Sequence, residues 1–177
     1  MRVDSPDAQV RFADLVLINH FCVAVFGVMR RMVLAQTPLI GSYVGSDRVL
    51  LAELGLRGRM VELPEYLFHR RDHPNTSGRQ FNVYKRLAWF DPARGKDLNL
   101  VYWTVGREYL RSANRVGLPW KERLIAYRTV HRWFWMRRHA LVEDMKAAVV
   151  QLFPFSKSLI NLSKRIQSHR IKTGGGI

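Results

Sequence analysis

Apolar positions along the chain follow two rhythms, and each predicts its own kind of element. Phe12, Leu15 and Val16 recur at helical spacing behind Ser5-Pro6-Asp7, where a capping serine, a proline at the first helical position and an acid mark a helix start. A helix from about Pro6 to Ile18 is predicted. His20 to Met29 (HFCVAVFGVM) is instead an unbroken apolar run rich in Phe and Val, the composition of a strand buried on both faces. Arg30 to Ala35 predicts a short helix, stopped near Thr37-Pro38.

Beyond that proline, Gly41 to Ser46 (GSYVGS) reads as a loop, with Ser46 placed to cap a helix from Asp47 to about Leu56 whose buried stripe is Leu50, Leu51 and Leu54. Gly58 is positioned to end it. Met60 to Leu63 and Tyr66 to Arg70 read as short extended segments divided by Pro64. From Val101 the helical rhythm returns through Tyr102, Val105, Tyr109 and Leu110, up to the break at Gly117-Leu118-Pro119. One long helix is then expected from Trp120 to about Leu152, burying Leu124, Tyr127, His131, Phe134, Leu141, Met145 and Val149.

Composition narrows the partners. The 177 residues, 47% hydrophobic, suffice for one core of ordinary proportion. With 29 Lys+Arg against 14 Asp+Glu, the formal charge of +15 favours partners bearing phosphate or anionic lipid. The excess is C-terminal: 15 basic and 11 acidic residues up to Leu110, then 14 and 3. Residues 156–177 hold five basic side chains and no acid, and read as a poorly ordered basic tail. The lone Cys22 excludes an internal disulfide framework and a multi-thiolate zinc site, which points to a cytoplasmic setting. Arg30 and Arg31 end the most apolar run well short of the roughly 18 residues a membrane span needs, and the first residues lack a secretory pattern.

Residues 37–77 are the informative stretch. Arg30-Arg31-Met32-Val33-Leu34 follows the predicted strand, and Gly45-Ser46-Asp47 opens the Leu-rich segment Asp47-Arg48-Val49-Leu50-Leu51-Ala52-Glu53-Leu54. Leu67-Phe68-His69-Arg70-Arg71-Asp72-His73-Pro74 closes the series. In this order the pieces resemble the C-terminal, acceptor-side half of the catalytic domain of family 2 glycosyltransferases, which have the GT-A fold. The resemblance covers about residues 9–80. It implies an α/β half-domain over residues 1–98, followed by a helical extension over 99–155 and the tail over 156–177.

The resemblance further implies inverting transfer of a sugar from a sugar nucleotide to a hydroxyl acceptor. Such a reaction needs a carboxylate to take the acceptor's proton as its oxygen attacks the anomeric carbon, and the motif assigns that role to Asp47. The plainer alternative is a first-turn acid favoured by the helix dipole. Arg70, Arg71 and His73 would lie near the donor diphosphate or the acceptor pocket, and their alternative is a solvated basic loop. Arg48 is either structural or turned to the acceptor, and His20 reads as a satisfied edge residue.

The family's nucleotide-binding half and its metal-binding Asp-x-Asp have no counterpart here: no Asp-x-Asp occurs in the chain. The expectation is therefore an acceptor-side portion that is inactive alone and holds no cofactor itself, the complete enzyme using Mn or Mg. Two other classes compete. Arg132-Trp133-Phe134-Trp135-Met136-Arg137-Arg138 mixes cations and rings as a nucleic-acid binder would, but no nucleic-acid-binding signature accompanies it, which disfavours that partner. The same helices suit an anionic membrane surface, on the inner face of the plasma membrane.

Overall fold

A computed structural model of the chain describes residues 1–69 and 100–153. Among the described residues six α-helices occur: α1 (Ala8–Leu17), α2 (Arg31–Leu34), α3 (Ser46–Arg57), α4 (Val101–Arg115), α5 (Trp120–Met136) and α6 (Arg138–Leu152). A 3-10 turn spans Val23–Phe26. No strand is formed among them, so the expected α/β half-domain is overturned in favour of an all-helical arrangement.

The correction has a physical cause at the His20 to Met29 run. A strand satisfies its backbone amides and carbonyls through neighbours on both sides, and the described residues supply none. The run closes short local bonds instead, Val25 N–H to the Cys22 carbonyl (3.2 Å) and Gly27 N–H to that of Ala24 (3.1 Å). Likewise, among the described residues from Met60 onward there is no sheet ladder: Met60 N–H donates to the Val3 carbonyl at 2.8 Å, and the residues after it stay exposed.

Helix starts follow the expected chemistry with shifted caps. Asp7, not Ser5, caps α1 by accepting from Gln9 N–H at 2.7 Å, while the Ser5 hydroxyl accepts from Asp7 N–H. In α3 the cap position belongs to Gly45, whose φ of 89° is left-handed, and Ser46 lies inside the first turn without a capping bond. Gly58 does end α3, donating to the Leu54 carbonyl.

α3 is the central element. Val49 to Leu56 are buried at every position, because α1 packs on one side and α4 on another. Gly55 permits the α1 contact: a β-carbon there would stand 2.5 Å from Leu15 Cδ1, and Arg11 Nε donates to the Gly55 carbonyl at 2.7 Å. Glu53 is fully buried and answered twice, by Arg57 of its own helix (2.9 Å) and by Arg115 at the end of α4 (2.6 Å). Its carboxylate thereby links α3 to the end of α4 beside the apolar core the two helices share.

The core continues into α5 through Tyr109, which meets Phe12 edge-on at 6.4 Å and Trp133 edge-on at 5.5 Å. Asp144 of α6 accepts from the amides of Tyr102 (2.6 Å) and Trp103 (3.3 Å), so a carboxylate from another helix satisfies the start of α4. The single long helix expected from Trp120 is broken at Arg137, and its buried side is rotated. Ala126, Thr129, Val130 and Trp133 face inward; of the expected stripe Leu141 is buried and Tyr127 and Phe134 pack on the core, whereas Leu124, His131, Met145 and Val149 face outward. Trp133, locked against Tyr109, decides the rotation.

Candidate functional site

Asp47 sits in the first turn of α3, half-buried, at the end of the helix held by the left-handed Gly45. Gly45 also packs closely, since a β-carbon would approach Val105 Cγ2 of α4 to 3.0 Å. The carboxylate therefore has a fixed position relative to both helices. One oxygen accepts from Arg48 N–H at 2.8 Å.

Arg48 reaches the other way, over the chain leaving α1. Its guanidinium donates to the His20 carbonyl at 2.8 Å and, more loosely, to the Ile18 carbonyl at 3.4 Å and Asn19 Oδ1 at 3.5 Å. This clamp draws the 18–22 segment against the start of α3. It sets His20 and Cys22 in the field of Asp47, with Tyr109 of α4 beneath.

The group responds as a half-desolvated polar cluster should. Burial, and the Asp47 carboxylate beside it, push the Cys22 thiol up to about 11. Burial, helped by the Arg48 charge, lowers the pKa of His20 and keeps its ring neutral, against the opposing pull of the Ile18 carbonyl that Nδ1 contacts at 2.9 Å. Burial raises the Tyr109 phenol. Three polar atoms at or next to this cluster, His20 Nε2, Ser46 Oγ and the Tyr109 hydroxyl, are buried with no hydrogen-bond partner among the described residues.

Of the residues singled out from sequence, Asp47 and Arg48 adjoin in this cluster. Arg70, Arg71 and His73 lie outside the described residues. Cys22 and Tyr109 carry no local signal: both read as core positions, and the folding of the 18–22 segment over α3 brings the first to the carboxylate while the packing of α4 on α3 brings the second beneath it. Among the described residues no three His, Cys, Asp or Glu side chains converge as a metal ion requires.

A shallow groove of about 300 Å³ lies elsewhere, lined by Trp103, Leu141, Val142, Met145, Lys146 and Val149. No carboxylate or imidazole lines it. Among the described residues no helix is long and apolar enough to cross a membrane. Comparison of the chain with models of protein families, with curated proteins and with solved structures found no match.

Proposed function

We propose that the chain is the acceptor-side portion of a sugar-nucleotide-dependent glycosyltransferase, with Asp47 as the general base. The observation that carries the reading is the placement of Asp47, half-exposed at the fixed start of a buried helix, next to buried polar atoms that lack partners among the described residues. Its support from the sequence is the resemblance of the motifs around the same residue to those of family 2 glycosyltransferases, without the strands the family sets between them, which the described residues do not form.

In this reading a hydroxyl of the acceptor lies within hydrogen-bond reach of Asp47 and loses its proton as the oxygen attacks the anomeric carbon. The half-buried His20 ring is assigned to orient that acceptor, while Tyr109 lies in the core beneath and only supports the cluster. Arg48 holds the segment that carries His20 and is a positioning residue. Arg70, Arg71 and His73 are assigned to the donor diphosphate or the acceptor. The donor-binding half lies outside these 177 residues, and the work is done on the cytoplasmic side, where sugar nucleotides are made.

A second observation accords with a protein partner such as a donor-binding half: Val28 and Met32 are 107% and 77% exposed, apolar surface of the kind that marks a contact between proteins. The test uses the coding sequence that precedes the Met1 codon. A chain extended to include a donor-binding segment read there should transfer sugar in the presence of Mn, and Asp47→Asn should lower the rate by roughly a hundredfold or more. The chain alone should neither hydrolyse nor tightly bind any sugar nucleotide. Donor turnover by the chain alone, absence of a donor-binding segment upstream, or full activity of the Asp47→Asn protein would each overturn the reading.

A further inference from the structure

The rotation of α5 leaves an outward face whose composition is not that of a solvated helix. Trp120, Leu124, Arg128 and Trp135 follow one another in a row at helical steps, all exposed, with the two rings 70% and 67% exposed. Lys121, Ile125, Arg132 and Met136 form the neighbouring row, also exposed. The helix has one acid, Glu122, and it stands on the opposite side, in line with Ala126, Thr129 and Trp133. The outward face is thus half apolar, half cationic and free of negative charge.

The cations are already drawn to the rings. Lys121 Nζ lies 5.7 Å from the centre of the Trp120 ring, and the Arg138 guanidinium 5.2 Å from that of Trp135. A tryptophan flanked by a cation matches the boundary layer of a bilayer, where the ring sits at headgroup depth and the cation meets lipid phosphate.

We propose that the outward face of α5 docks flat on an anionic lipid bilayer. Charge complementarity selects the surface: Lys121, Arg128, Arg132 and Arg138 all project from this side or its end, and the whole chain carries +15. The apolar half selects lipid over nucleic acid. Leu124, Ile125 and Met136 gain nothing from a sugar–phosphate backbone but gain from entering the acyl boundary. This inference stands apart from the Asp47 reading, because it uses no residue of that cluster.

Flotation of the full chain with phosphatidylcholine vesicles, with and without phosphatidylglycerol, tests it. The wild-type chain should float with the anionic vesicles only, and less so as salt rises. Arg128→Gln with Arg132→Gln should weaken partitioning about 25-fold, at about fivefold per cation. Leu124→Ser with Ile125→Ser should weaken it at least about tenfold, and Asp47→Asn should leave it unchanged. Because the four substituted side chains face outward, far-UV circular dichroism should be preserved. A measurement that needs no substitution accompanies these: brominated acyl chains should quench the tryptophan emission of the wild-type chain.

Failure to float with anionic vesicles, or unquenched emission on them, overturns the proposal. So does flotation that the Leu124→Ser, Ile125→Ser protein retains in full, since attraction would then be charge alone. Tighter binding to a single-stranded oligonucleotide than to the vesicles, indifferent to Leu124 and Ile125, would assign the face to nucleic acid instead.

Discussion

Val49 to Leu56 and Phe21 to Met32 carry comparable densities of large apolar side chains, yet the first is buried along its whole length while the second turns Phe21, Val23, Phe26, Val28 and Met32 outward. A helix closes its own backbone bonds and needs only side-chain neighbours, which α1 and α4 supply to α3. An apolar run suited to a strand needs backbone partners first. Where none is formed among the described residues, it curls into a 3-10 turn that packs Cys22 and Val25 on the core and leaves most of its large side chains exposed. The difference teaches that burial in this chain follows from which segments complete their hydrogen bonds locally, not from how apolar they are.

The largest break in this contrast is expected inside the buried region. Glu53→Leu leaves Arg57, and with it Arg115, without the carboxylate that draws them together. A loss of roughly 3–5 kcal/mol is expected in urea unfolding, the scale for removing one partner of a buried pair. Gly45→Ala should cost about 1–2 kcal/mol, because the φ of 89° is strained for any β-carbon and Val105 crowds it as well. Thermal unfolding monitored at 222 nm checks it.

A smaller effect appears only in acid. With its folded pKa lowered by burial, His20 is neutral in both states above the unfolded value of 6.5 and contributes nothing there. Below 6.5 the unfolded chain takes up a proton that the folded ring resists, so stability falls as pH drops through the window down to the folded pKa. His20→Gln should flatten that part of the stability–pH curve. In this outward-turned run, Val28→Ser and Met32→Ser should each change stability by no more than about 0.5 kcal/mol, as exposed positions do. A loss of several kcal/mol at either would mean that the run is covered after all.

How much of this was legible beforehand divides along the same line. The helices from Ala8, Arg31, Ser46, Val101 and Trp120 stand where apolar periodicity, Gly58 and the Gly117-Leu118-Pro119 break put them. The strand at His20 to Met29 was not readable as a turn, because composition reports suitability for a sheet and says nothing about whether neighbouring strands exist. The break at Arg137 has no glycine or proline to announce it. The inward side of α5 is legible only in part: Tyr127 and Phe134 reach the core as expected while Leu124 and His131 do not, because both sides carry aromatic rings and the contact of Trp133 with Tyr109 separates them.

At the candidate site, Asp47 was visible as a first-turn acid after a glycine loop. Its companions were not. His20, Cys22 and Tyr109 are far from it in sequence, and the Arg48 clamp that gathers the 18–22 segment is a side-chain-to-carbonyl contact with no sequence signature. The outward composition of α5 was present in the sequence as mixed Trp and Arg, but its meaning depends on knowing which side is buried.

Amide hydrogen exchange resolved to single residues tests the central contrast most directly. The account predicts slow exchange along Val49 to Leu56 and the middles of α4 and α5, and fast exchange at Val23 and from Val28 to Arg30, whose amides have no ladder to protect them. Protection from Phe21 to Met29 equal to that in α3, in the isolated chain, would show a paired strand there and contradict it.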